Sequence, residues 1–451
     1  MSPVFKSRSH TLKLLAVVVA VVCLGAVFYG SLHIRRADPD ADALNLLREA
    51  YSAVLSSHVE KPDSKKLVLK MVDGMLAALD PHSAYLPPEP YHEMEVQMSG
   101  SFGGVGIELG TKEGKLIVIA PIDDTPASRA GIMSNDHIWK IDGTPTNGMN
   151  IAAAVKRMRG EKGTPVTLTI MRGENARPLV FKLVRDIIKL KSLKSKLLDS
   201  GYGFIRISQF QERTGSEFKE ALKDLHLKSG GELKGLILDL RYNPGGLIHS
   251  CVEVVNSFVG DDISNSAIVS IRGRTAESNH VYNATVGTKE PRYPIIVLIN
   301  GGSASASEIV AGALQDHKRA IIMGTQSFGK GSVQSVIPMK GNAALKLTTA
   351  RYYTPSGRSI QAKGIVPDIE VASIKQTPTK EQPKSKEIKE KDLTNRLGPS
   401  DNPVEPQVRT PDSAKGKSVD QELQNDFQLR RAVELLQSLT LLQERGLISG
   451  K

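Results

Sequence analysis

The feature that most constrains this chain is the stretch "YPIIVLING". It is a run of five aliphatic residues, Ile295 to Ile299, opened by Pro294 and closed by Asn300 and Gly301. A strand with one wet face alternates apolar and polar residues, so an unbroken aliphatic run predicts a strand buried on both faces. The surrounding sequence repeats the theme. "GYGFIRIS" and "LKGLILDLR" are apolar runs followed by loops, "HSCVEVVNSFVG" and "SEIVAGALQDH" read as helices, and "RAIIMG" is a further strand. Strand-helix alternation over residues 190–372 predicts a largely parallel sheet with helices outside it. The expected fold class is multidomain α/β.

A chain of 451 residues exceeds one ordinary core, and its pattern changes along its length. Residues 40–95 read as helical, with Leu44, Leu47, Tyr51, Val54 and Leu55 on one stripe. Residues 98–186 break into short strands separated by Gly, Pro and Asp turns, with one helix in "MNIAAAVKRMRG". Residues 374–416, rich in Lys, Glu, Pro and Ser, read as a disordered linker. Residues 417–451 form a helical segment, with Leu429, Ala432, Val433, Leu436 and Leu439 as its packing stripe.

At the N-terminus, a basic region of residues 1–13 precedes 19 uncharged residues, Leu14 to Leu32. That length reaches the lower limit for a membrane span, and Lys6, Arg8 and Lys13 place the preceding end in the cytoplasm. The segment is read as an export signal kept as an anchor, with cleavage as the alternative. Either way the rest of the chain is expected to lie outside the cytoplasm.

The formal charge is +11, but the basic residues form no arm or patch interleaved with aromatics, which argues against a nucleic-acid partner. The two cysteines, Cys23 and Cys251, make no plausible disulfide, and no Cys/His cluster has metal-ligand spacing.

Three serines on alternate positions, Ser303, Ser305 and Ser307, follow the buried strand and open a helix. Strand ends of open α/β sheets bind ligands, and helix N-termini favour negative charge. Any one of these serines could equally be a helix cap. Lys330, between two glycines in "SFGKGS", follows another apolar strand, and a buried lysine can serve as a general base. His317, beside Lys318 and Arg319, reads as an exposed helix end and a poor base. Gly245 and Gly246 in "LDLRYNPGGL" could present backbone amides to an oxyanion. "SGSFGGVGIEL" could present amides to a carboxylate, and no helix follows it, which excludes a phosphate loop.

Taken together, "LDPHSAYL", "SGSFGGVGIEL", "FIRISQF", "LDLRYNPGGL", "NGGSASASEIVAGALQD", "GTQSFGKGSVQ" and "TPSGRSIQAKGIVPD" resemble the C-terminal processing peptidases, or tail-specific proteases, over about residues 40–370. The resemblance implies a core like that of ClpP and the crotonases, with an inserted PDZ domain. It implies Ser305 as nucleophile, Lys330 as general base and Gln334 as the residue orienting it. Ala306 and either Gly245 or Gly246 would supply the oxyanion amides. Gly104, Val105, Gly106 and Ile107 would hold a substrate C-terminus. A straight strand would set Lys330 and Gln334 about 13 Å apart, so Gly331 must bend the chain or the side chains must close the gap. In relatives the PDZ domain can block or assemble the active site, and Arg172 is a candidate coupling residue.

The reading that follows is an exported serine endopeptidase acting on proteins with apolar C-terminal tails, without metal or organic cofactor. An activating adaptor and a second copy joined through the N-terminal helices are candidate partners. The alternatives are a catalytically silent PDZ adaptor and, on a related fold, an acyl-CoA-type hydratase or isomerase.

Overall fold

The computed structural model describes residues 39–173, 177–198, 201–260, 266–372, 388–398 and 426–447. The expected anchor, 14–32, lies outside the described residues. Among the described residues no helix is long and apolar enough to cross a membrane.

The chain divides into two compact units, Met1–Gly74 and Met75–Lys451. In the first, helix α1 (Pro39–Ser57) is followed by the start of α2 (Ser64–Ala77). Asp63 caps α2, its Oδ1 accepting from the amides of Lys65 and Lys66 at 3.0 and 3.1 Å. The apolar stripe of α1 remains largely exposed at Leu44, Leu47, Val54 and Leu55.

The second unit opens with β1 (Ala84–Leu86) and α3 (Pro88–Ser99). A small β-rich domain follows. It comprises β2 (Ser101–Gly104), β3 (Ile107–Lys112), β4 (Lys115–Pro121), the single turn α4 (Pro126–Arg129), β5 (His137–Ile141), β6 (Thr144–Pro145), α5 (Ile151–Met158), β7 (Pro165–Met171), β8 (Leu179–Val184) and β9 (Asp186–Lys189). Its sheet runs β3-β4-β5-β7-β8 with β6 on β5, and β2 pairs separately with β9. Alternate residues point inward, so Leu116 and Val118, and Val166, Leu168 and Ile170, fill one core with Ala154 and Met158 of α5, joined by Ile138 and Ile141 from either side of an irregularity in β5. Asn150 starts α5, its side chain accepting from the amide of Ala153 at 2.8 Å.

The large domain contains β10 (Leu193–Leu198), β11 (Tyr202–Ile207), α6 (Thr214–Ser229), β12 (Gly235–Asp239), α7 (Ile248–Asn256), β13 (Ala267–Gly273), β14 (His280–Asn283), β15 (Ile295–Ile299), α8 (Ala306–Asp316), β16 (Ile321–Gly324), β17 (Ser332–Met339), β18 (Ala343–Tyr353), β19 (Ile369–Glu370) and α9 (Phe427–Glu444). One sheet runs β10-β11-β12-β15-β16-β19, and every pair in it except β10–β11 is parallel.

The aliphatic run of β15 is explained by its two covered faces. Ile295, Val297 and Ile299 pack with Phe218, Leu225, Val254, Ile309 and Val310 of α6, α7 and α8. Ile296 and Leu298 pack with Leu429, Ala432 and Leu436 of α9. Each strand residue therefore loses its water whichever way it points. The strand-helix pattern did not foresee the second, antiparallel sheet, β1-β18-β13-β14 with β17 on β18. Its long strands carry "ALKLTTARYY" and "SVQSVIPM", whose mixed polarity suits a half-wet face.

The segment expected to be a linker departs from that expectation in part. Residues 388–398 pack on the large domain, and Glu390 is fully buried there. Its partners are distant in sequence, so composition alone does not show them. The rest of 374–416 lies outside the described residues.

Candidate active site

The three serines of the opening motif occupy different environments. The hydroxyl of Ser303 donates to Leu240 O at 2.8 Å, and that of Ser307 donates to Asn243 O at 2.9 Å. Both are fully buried and staple α8 to the loop after β12. Ser305 stands at the strand-to-helix corner with φ 56° and ψ −114°, a strained conformation for a residue with a side chain. Its hydroxyl faces that of Tyr352, whose own ionisation burial pushes far up. The corner is secured by Asn300, whose Oδ1 accepts from the amides of Tyr242 and Gly302.

Glu308 ties this corner to the lysine loop. Its carboxylate accepts from the amide of Ser305 at 2.8 Å, the hydroxyl of Ser327 at 2.5 Å, the amide of Gly329 at 2.7 Å and the amide of Lys330 at 2.9 Å. Burial pushes its pKa up to about 7 against the pull of these donors. The sequence marks it only as the acidic residue three beyond a serine, a helix-start signature. Its span to Gly329 and Lys330 was not legible there.

Lys330 is partly buried, and desolvation holds its amine below the usual lysine range, helped by the charge of Lys346. Glu390, Glu308 and Asp80 pull the other way. Among the described residues the amine makes no hydrogen bond to Ser305 or Gln334. Gln334 instead donates to the hydroxyls of Ser332 at 3.0 Å and Thr348 at 3.3 Å. A bulge between Val333 and Gln334 interrupts the β17–β18 register just there. Thr348 in turn donates to Asp80, which also accepts from the amides of His82 and Ser83 and from the Ser83 hydroxyl. Burial raises the pKa of Asp80, but these bonds outweigh it and hold it below the ordinary value.

Gly245 packs directly on the Ser305 corner, where an added Cβ would lie 2.8 Å from Ser305 Cβ and 2.9 Å from Ala306 N. Gly245 and Gly246 both take positive φ, 103° and 139°, which side chains disfavour. The amide of Gly245 is already spent on Asn243 Oδ1 at 2.9 Å. His317 lies at the far end of α8, about 16 Å along its axis, with Nε2 2.7 Å from Ala267 O.

In the β-rich domain Gly104, Val105, Gly106 and Ile107 line one pocket of about 100 Å³ together with Phe102, Val155, Met158 and Arg159. Gly106 has φ 78°, and a Cβ there would strike Thr125. Arg172 is committed within the domain, where it pairs with Asp136 at 2.8 Å and donates to Gly131 O.

The fold and site thus define a serine peptidase carrying a PDZ domain. The family model for "Peptidase family S41" matches residues 201–371, and that for "PDZ domain" matches residues 103–183. A "Carboxy-terminal-processing protease" of Bartonella bacilliformis is 45% identical over 394 residues, covering 86% of this chain and 87% of that protein. The "Carboxy-terminal processing protease CtpB" of Bacillus subtilis is 36% identical over 341 residues, covering 74% and 69%. A "Probable CtpA-like serine protease" of Staphylococcus aureus is 35% identical over 410 residues, covering 90% and 79%. The chain belongs to peptidase family S41.

Proposed function

We propose that this protease hydrolyses exported protein substrates with a Ser305–Lys330 pair, after its PDZ domain has captured an apolar C-terminal tail. The observation that carries the reading is Glu308: one buried carboxylate anchors both the Ser305 corner and the Lys330 loop. Ser305 attacks the scissile carbonyl as the Lys330 amine takes its proton. The ammonium then protonates the leaving amine, and water, activated by the same amine, releases the acyl group from Ser305. The displaced charge falls on the carbonyl oxygen, where we assign the amides of Ala306 and Gly246 as donors. Gly245 is excluded from that role by its bond to Asn243. Gln334 orients Lys330 once substrate draws it from Ser332 and Thr348.

The pocket at Gly104–Ile107 receives the tail. Residues 14–32 anchor the chain with its catalytic part in the bacterial envelope. The exposed stripe of α1 supports a homodimer through the N-terminal helices.

The test is cleavage of an unstructured protein with an apolar C-terminus by the purified chain. Ser305→Ala and Lys330→Ala are expected to abolish it while leaving the far-UV circular dichroism spectrum unchanged. Wild-type rates from either variant would overturn the mechanism, and a fully silent wild type would favour the adaptor reading.

A further inference from the structure

The segment 388–398 reaches the lysine loop from beyond the large domain's last strand. Its short 3-10 turn, Glu390–Asp392, inserts Glu390 with no exposed surface. The Glu390 carboxylate oxygens lie 2.8 and 2.9 Å from Nε2 of His82, and one accepts from Gln361 Nε2 at 3.0 Å. Gln361 Oε1 in turn accepts from the amide of Gly331, next to Lys330, at 2.9 Å. On the other side of the lysine, the amide of Glu390 donates to Phe328 O at 3.2 Å, and Lys389 Nζ donates to Gln326 Oε1 at 2.9 Å. Leu397 O closes the strap by accepting from Gln361 at 3.1 Å.

A buried carboxylate is costly to desolvate and persists only where its oxygens are fully matched. A mere tether between a domain and a terminal helix gains nothing from such a group. Here the carboxylate is matched by His82 and by Gln361, which in turn holds Gly331 on one side of Lys330, while the backbone amide of the same residue holds Phe328 O on the other.

We propose that Glu390 is a positioning residue for proteolysis: the 388–398 strap clamps the Gln326–Gly331 loop against His82 and Gln361 and thereby fixes the Lys330 amine. The proposal rests on the reading of Lys330 as the base. It places a determinant of catalysis outside the region that carries the serine and the lysine. Four charged groups from separate elements act on the amine: Lys346 of β18, Glu308 of α8, Asp80 of the turn before β1, and Glu390 of the strap. Burial and Lys346 favour the neutral amine, while the three carboxylates favour the ammonium. Loss of the Glu390 charge therefore makes the neutral amine available at lower pH.

Steady-state kinetics across pH on the full-length chain test this, with an unstructured polypeptide ending in an apolar tail as substrate. Glu390→Ala is expected to lower kcat about tenfold or more with KM within about twofold, since a charge-assisted bond network is lost. Glu390→Gln keeps the shape and removes the charge. It is expected to retain more of kcat and to move the acid limb of the pH–rate profile to lower pH, a shift that a purely structural role would not produce. Lys330→Ala runs beside them. If it is inactive while both Glu390 variants keep the wild-type kcat and acid limb, the strap proposal fails alone. If Lys330→Ala is active, the base assignment fails and takes the strap with it. Should Glu390→Ala not fold, the Glu390→Gln profile decides: an unmoved limb overturns the proposal.

Discussion

At the scale of single residues, Glu308 is the most exposed to test because its chemistry and its burial oppose each other. Its pKa rises from 4.5 to about 7 in the fold, because desolvation disfavours the charge more than its four donors favour it. A raised folded value means that protonation favours the folded state. That stability is fully present below pH 4.5 and is lost as pH rises through about 7. A shift of this size corresponds to about 3 kcal/mol. Urea unfolding should therefore show the wild type losing up to about that much relative to Glu308→Gln between pH about 4.5 and about 8. Parallel pH curves for the two would sink the assignment. Lys346 offers a second residue-scale test. Its charge lowers the Lys330 pKa, so Lys346→Gln is expected to move the acid limb of proteolysis to higher pH, opposite to Glu390→Gln. An unmoved limb would show that Lys346 does not act on the base.

At the scale of elements, the clearest test concerns α9. Arg241, two residues before the Asn243-Pro244-Gly245-Gly246 turn, is bidentate to Asp239 and also bonds Asp426 and Gln428 at the start of α9. The terminal helix is thus pinned by charge to the loop assigned to the oxyanion, and Leu436 and Ala432 seal it against Ile237 and Ile296. Leu436→Ala should cost about 2–5 kcal/mol in chemical denaturation. Asp426→Ala should lower both stability and kcat, because it leaves the clamp incomplete beside the turn. A kcat untouched by Asp426→Ala would separate α9 from the reaction. The apolar stripe of α9 was legible in its helical periodicity, and the strands β11, β12, β15 and β16 in their apolar runs. Turn residues between short apolar segments made β3, β4, β5, β7 and β8 legible too, along with the helix α5. The β17–β18 hairpin was not legible, since strands of mixed polarity give no unbroken apolar signal. Neither was the triple anchorage of Glu308, Asp80 and Glu390, because each binds partners tens to hundreds of residues away. At the serines, alternation in the sequence left three candidates. Two of them spend their hydroxyls on the neighbouring loop, a commitment only the fold reveals.

At the scale of the whole molecule, the tail capture and the bond cleavage proposed here fall to different domains, so they should separate kinetically. The pocket proposed for the tail lies on β2, β3 and α5, whereas Ser305, Lys330 and Glu308 belong to the large domain. A free terminal carboxylate is the group that backbone amides of a glycine turn recognise, and an amidated tail removes its charge while leaving its apolar side chains. If the PDZ domain only concentrates substrate, amidation should raise KM about tenfold or more with kcat nearly unchanged, because binding lost equally from ground and transition states leaves the chemical step alone. If tail capture also draws Lys330 and Gln334 into register with Ser305, kcat should fall as well. The bonds of Gln334 to Ser332 and Thr348, with none from the amine to Ser305, favour the second outcome. Kinetics on paired substrates differing only in that terminal group measure both constants at once. Equal kcat and KM for the pair would remove the tail, and the PDZ pocket with it, from substrate recognition.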